Sequence, residues 1–204
     1  MAFELPIFEL PMVLLPGEQA PLHIFEERYK RLIGHALDEG EPFGVLLRDS
    51  AGARPVGCTA YVSEVLERFA DGRLNVVVIG EDPFRVLDRF DDPEHPAAEV
   101  EMLDADPETA DPDTADAARE AFRDLAERAS GERPSPEAVA GEGAYDLAAR
   151  VELPPETKQE LLELRDEDER MQLLARVLQA LQNALDRAEE IAERAQSNGK
   201  VRLG

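Results

Sequence analysis

The chain has 204 residues, enough for one large domain or two small ones, with a core burying roughly 70% of the extended-chain surface. Forty-five acids against 22 bases give a net charge of −23, spread evenly: residues 1–103 hold 20 acids and 9 bases, the remainder 25 and 13. This excludes the cluster of Lys and Arg that nucleic acid or an anionic membrane requires, and 43% apolar residues exclude global disorder.

Only Lys30, Lys158 and Lys200 among the bases are lysines. An acid-rich, Lys-poor surface suits solubility at high ionic strength, where screening relieves self-repulsion. A single cysteine, Cys58, excludes an intramolecular disulfide and a multi-Cys zinc site. No apolar run approaches ~18 residues, and Met1-Ala2-Phe3-Glu4 lacks a basic leader. These features predict neither a membrane span nor a signal peptide, and a cytoplasmic location.

Residues 1–103 read as strands with one helix. Leu5–Leu10 alternates as a short edge-type strand. Met12–Leu15 follows, closed by Pro16-Gly17, and Pro21–Ile24 is another short strand. Phe25, Tyr29, Leu32, Ile33, Ala36 and Leu37 then recur at steps of three and four, which predicts a helix from about Glu26 to Glu39, stopped by Gly40 and Pro42. Strands return at Phe43–Leu47 and at Gly57–Arg68, where Cys58, Ala60, Val62, Val65 and Leu66 are the inward candidates. The Asp71-Gly72 turn makes a hairpin to Leu74–Ile79, ended by Gly80, and Phe84–Leu87 and Ala98–Leu103 complete the set. Seven or eight short strands around one helix predict a small distorted barrel, because closed pairing protects the edges.

Asp104–Asp116, with six acids, two prolines and no base, reads as a linker. Residues 117–204 are helical in pattern. Asp113 or Thr114 caps a helix running to about Ser130, Ser135-Pro136 starts another, and Ala140–Leu153 and Lys158–Leu164 read as short helices. In the last helix Met171, Leu174, Leu178, Leu181, Leu185, Ala188, Ala192 and Ala195 form a heptad seam about 36 Å long. The stripe predicts packing on the other helices and the barrel, with a dimeric coiled coil as the alternative.

No chemistry-bearing motif emerges. The only Gly-Lys pair, Gly199-Lys200, is followed by Val201, so no phosphate loop forms, and Gly141-Glu-Gly143 lacks a third glycine. His23, His35 and His95 have no second His or Cys at metal-ligand spacing, and the acidic runs lack a calcium-loop pattern. None of the five serines sits in a Gly-x-Ser-x-Gly elbow, and Cys58 reads as a buried small hydrophobe. The expectation is a protein without catalytic residues, cofactor or metal. What remains is surface: Pro6, Pro11, Pro16 and Pro21 recur at a spacing of five among apolar residues. Part of this rigid stretch is a candidate apolar groove for unfolded peptide, with Ile7, Phe8, Met12, Leu14, Leu22 and Phe25 as its residues.

Leu5–Gly17 followed by Pro21-Leu-His-Ile-Phe-Glu-Glu-Arg-Tyr-Lys-Arg-Leu-Ile33 resembles the opening of the Lon protease N-terminal domain. Phe43–Leu47, Val56–Ala60, Asp71–Asn75, Gly80 with Phe84-Arg-Val-Leu87, Leu153–Leu162 and Glu169–Met171 extend the likeness over most of the chain. The resemblance implies an α+β fold, a PUA-like pseudo-barrel lobe followed by a helical bundle. It also implies a role in recognising and holding unfolded or client proteins, with a Lon-type protease as a further partner. Full Lon proteases add an ATPase module and a Ser–Lys peptidase, and neither motif is found here. The expected form is a free-standing recognition domain, monomeric or weakly dimeric. ATP-dependent peptidase activity is the alternative that the family association alone suggests. Within the family motif, Glu26, Arg28 and Tyr29 open the helix and are expected to be structural, with Arg28 pairing to a barrel carboxylate. Gly57, Gly72, Gly80 and Phe84 are expected to shape the strands.

Overall fold

The computed structural model describes residues 1–90, 96–103 and 110–198, and within the last helix the side chains of 193 and 195–198 are left aside. His95 and the first part of the expected acidic linker, 104–109, lie outside the described residues.

The elements run β1 (Phe3–Leu10), β2 (Gln19–Ile24), α1 (Glu27–Glu39), β3 (Phe43–Asp49), β4 (Gly52–Ala53), β5 (Val56–Arg68), β6 (Leu74–Phe90) and β7 (Ala97–Met102). Helices follow: α2 (Pro112–Ser130), α3 (Pro136–Val139), α4 (Ala144–Ala148), α5 (Pro155–Glu163) and α6 (Glu167–Asn198). The sheet order is β1-β7-β6-β5-β3, and β3 returns to β1 in parallel with Ile7 opposite Gly44, so five strands close into a barrel. Phe84 fills its middle, packed with Leu5, Ile7, Leu46, Ala98 and Val100. Gly57 is the register partner of Phe84, and a Cβ there would lie 2.3 Å from the Val45 carbonyl oxygen, so closure needs a glycine at that crossing.

Leu74–Ile79 and Phe84–Leu87 are one continuous strand, not two. Ladder irregularities absorb the Gly80–Pro83 stretch: β5 slips register between Cys58 and Ala60 instead of breaking. The β5–β6 hairpin therefore extends beyond the barrel, with β2 added along β6. Gly72, at φ +83°, closes its tip, and the Phe69 N–H donates to the Arg73 carbonyl at 2.9 Å. Met12–Leu15 is not a strand. Pro11 and Pro16 bound it and offer no ladder donors, yet Val13, Leu14 and Leu15 are all buried.

Helix α1 covers the inner face of the β2–β6–β5 extension. Tyr29, Leu32 and Ile33 meet Ile24, Leu74, Val76, Val78 and Ala60 in one cluster. A second cluster joins the two lobes: Val13, Leu15, Val56, Cys58 and Leu103 from the strands pack with Val139, Leu161, Leu162 and Leu174 from the helices. The partly buried Glu18–Lys158 ion pair and the Gln159 amide, donating to the Val56 carbonyl at 3.1 Å, cross the same seam.

The helical lobe departs from expectation in three places. Asp111 caps α2, accepting from Asp113 N–H at 3.0 Å and Thr114 N–H at 3.3 Å, so the end of the acidic stretch is helical. Only Ala144–Ala148 of the predicted Ala140–Leu153 helix forms. Along α6, Met171, Leu174 and Leu178 are buried against α2 and its neighbours, but Leu185, Ala188 and Ala192 are exposed. Helix α2 runs parallel to α6, with Asp111 beside Asp168 at one end and Arg128 beside Glu189 at the other. It ends at Ser130, so the later seam extends past its cover.

Candidate protein-docking face

The groove residues expected from the proline-rich opening separate. Ile7 packs inside the barrel, Phe8 under α1 on the opposite face of the same strand, and Leu14 beneath α1. All three are at most 3% exposed, which corrects their assignment to a surface groove. A strand with core on both faces hides its even and its odd residues alike. Met12 and Leu22 are half-buried against the α1 cluster. Phe25 alone of the six stands out, at 61% exposure.

Glu26, Arg28 and Tyr29 form a corner. The Arg28 guanidinium donates to Glu26 at 3.0 Å and lies 4.4 Å over the Tyr29 ring, which packs 4.1 Å from Phe8. Arg28 thus pairs with its neighbour and not with the barrel. The barrel carboxylate, Glu9, takes Arg48 at 2.7 Å and Arg89 at 2.6 Å instead. Burial works to raise the Glu9 pKa, but the two guanidiniums outweigh it and the net shift is downward. Burial pushes the Cys58 thiol far up, which keeps it an inert core group.

Exposed apolar side chains lie at the barrel end, with Phe3, Leu87 and Phe90, late in α6, with Leu185 and Ile191, and on the outer face of the β2–β6–β5 extension, with Phe25 and Leu66. Alternation places Val76 and Val78 inward, so Asn75, Val77 and Ile79 point outward. Cross-strand register puts Pro21 and His23 of β2 on one side of them, and Tyr61, Glu64 and Glu67 of β5 on the other. At the hairpin end His23 stacks on Phe25 at 5.9 Å and meets the edge of Phe69 at 6.0 Å, with Arg73 4.9 Å over Phe69. Leu66, expected to face inward, is 54% exposed, because β5 slips register on either side of Val65.

The open edge of β2 is poorly suited to strand addition. The Gly80 N–H donates to the Glu18 carbonyl at 3.0 Å, which sets the ladder phase: Ala20, Leu22 and Ile24 bond to β6, and Gln19, Pro21 and His23 turn their backbone to the open edge. Pro21 sits in the middle of that edge and has no N–H to offer. A separate cleft of about 330 Å³ lies between α1 and β1, walled by Pro6, Leu32 and Ala97 with Arg28, His35 and Glu4 at its rim. Its charges are of both signs. Among the described residues no three His, Cys, Asp or Glu side chains converge as a metal site, and no helix is long and apolar enough to cross a membrane.

Sequence reasoning missed His23, Glu67, Phe69 and Asn75 as a group. The signal was present in the Asp71-Gly72 turn, which pairs Glu67 with Asn75 across the hairpin. Their meeting with His23 required the addition of β2, whose pairing to β6 no local pattern announces.

The profile of the family described as the ATP-dependent protease La (LON) substrate-binding domain matches residues 4–180. Among solved structures, the Lon N-terminal domain protein from Xanthomonas campestris is 24% identical, with a TM-score of 0.65 over 84% of this chain and 96% of that one. The N-terminal domain of the Mycobacterium avium complex Lon protease is 19% identical, with a TM-score of 0.68 over 87% of this chain and 98% of that one. At these identities the two structures establish a shared fold, an α+β barrel lobe joined to helices. The family match covers both lobes, and the chain belongs to the Lon substrate-binding domain family.

Proposed function

We propose that this substrate-recognition module works without catalysis of its own, holding unfolded or client proteins in the cytoplasm for proteolysis or quality control. A Lon-type protease is the partner that would receive them. The observation that carries the reading is the exposure of Phe25 and Leu66, with half-buried Phe69 against the same His23 ring as Phe25, on a sheet extension whose inner face is covered by α1. Large apolar groups left exposed together on a folded lobe serve contact with other chains. The uniform negative charge opposes self-association, which suits a monomer or weak dimer, and disfavours nucleic acid as a ligand.

The test is binding to a destabilised protein and to its folded form. The unfolded form is expected to bind, and Phe25→Ser with Leu66→Ser to weaken it at least tenfold, given ~1.5–3 kcal/mol for burying one such side chain. Equal binding of both forms, or no loss in the double variant, would refute the reading. Breakdown of casein by the pure protein with ATP would favour an enzyme instead.

A further inference from the structure

On the outer sheet face Glu67, Asn75 and His23 form a directed chain. The Asn75 amide donates through Nδ2 to Glu67 Oε2 at 3.1 Å, and its Oδ1 lies 2.6 Å from His23 Nδ1. An ionised carboxylate only accepts, so Glu67 decides which end of the amide faces it. The carbonyl end is left for His23, and Nδ1 of the neutral ring must then carry the proton. Its one N–H is spent, so Nε2 is a bare acceptor. The His23 ring is exposed, between the face of Phe25 and the edge of Phe69. The charged residues that register places on this outer face, Glu64 opposite Val77 and Glu67 opposite Asn75, are both acidic, and Arg73, 4.9 Å over Phe69 at the hairpin end, is paired with Asp71 at 2.7 Å.

We infer that His23 is a specificity-determining acceptor, and that the face selects a polypeptide segment carrying a Lys or Arg next to an apolar residue. The apolar residue rests on Phe25 and Phe69, the cationic N–H donates to His23 Nε2, and Glu64 and Glu67 supply the complementary field. An acidic segment meets the carboxylates of Glu64 and Glu67, and the guanidinium at the hairpin end, Arg73, is already paired with Asp71. Pro21 on the open edge leaves side chains as the readers. This inference rests on the docking-face reading above.

Two short fluorescent peptides test it, identical except for Lys or norleucine beside a Phe, titrated in alkaline buffer against the whole chain. The Lys peptide is expected to bind about tenfold tighter, the scale of one hydrogen bond to a charged group at an exposed site. His23→Phe erases the preference between the two peptides, and Asn75→Leu, which frees the tautomer, reduces it severalfold. Long-range nitrogen–proton NMR of the imidazole shows the proton on Nδ1. Equal affinity of the two peptides for wild type, a preference that survives His23→Phe, or a proton on Nε2 would each overturn the inference while leaving the docking face intact. If neither peptide binds and Phe25→Ser changes nothing, the docking face itself is refuted. A dimer that Phe25→Ser dissociates and neither peptide displaces would overturn the inference in favour of a second copy of this chain.

Discussion

Replacing Gly80 by Ala adds one methyl where β6 passes under the Leu15 segment. An ideal Cβ at Gly80 would lie 2.2 Å from the Leu15 carbonyl oxygen, 3.0 Å from its carbon and 3.1 Å from Cys58 Sγ. Relief needs more than an ångström of separation, and neither backbone is free to give it. The Gly17 N–H donates to the Gly80 carbonyl at 2.9 Å, the Gly80 N–H to the Glu18 carbonyl at 3.0 Å, and Ala60 of β5 holds the other side. Overpacking costs ~1–3 kcal/mol, and a clash with pinned backbone belongs at the upper end. At ~2–4 °C per kcal/mol for a chain of this size, the Tm falls by about 6–12 °C. Gly34→Ala is the control. It lies inside α1 with no atom within 4 Å of the added methyl, so it gains ~0.5–1 kcal/mol of helix stability and raises the Tm slightly. Calorimetry of both variants measures one chemical change with opposite signs. A Gly80→Ala protein melting within about 2 °C of wild type would refute the steric reasoning.

Glu9 ties β1 to Arg48 of β3 and Arg89 of β6 at the barrel seam. Its folded pKa lies below the unfolded value of about 4.3, so its contribution is complete above that pH and is lost as the pH falls through the folded value. Glu9→Gln is expected to cost about 1–2 kcal/mol at neutral pH, discounted because both guanidiniums are about half exposed, with the gap closing below about pH 4. A gap that stays constant on acidification, read by urea unfolding, would contradict this assignment. On α6, Leu178→Ala removes a fully buried side chain and is expected to cost ~2–5 kcal/mol, whereas Leu185→Ala, 40% exposed, costs under ~0.5. Comparable losses at the two positions would mean that the later seam has a partner.

Much of the architecture was readable from local pattern. Steps of three and four from Phe25 to Leu37 placed α1 within a residue or two, and Asp71-Gly72 placed the hairpin. These signals are local, because a helix face and a tight turn are set by neighbours within one or two turns of chain. The seam on α6 was equally legible as periodicity, but its burial was not. Whether Leu185 is covered depends on where α2 stops, more than fifty residues earlier.

The candidate site shows the same division more sharply. Proline spacing marked the opening as rigid and apolar, and that much is a property of the residues themselves. Alternation says which side chains share a face of β1, but not that both faces find a core, so Ile7 and Phe8 look like surface until the barrel and α1 are in place. His23, Asn75 and Glu67 come from positions 52 and 8 residues apart along the chain, brought together by strand pairing. Composition and periodicity therefore settled the kinds of element and the acidic character of the surface. Which apolar residues remain exposed, and which nitrogen of His23 is left to accept, follow from long-range pairing, because burial and hydrogen-bond direction belong to the assembled neighbourhood and not to any stretch of the chain.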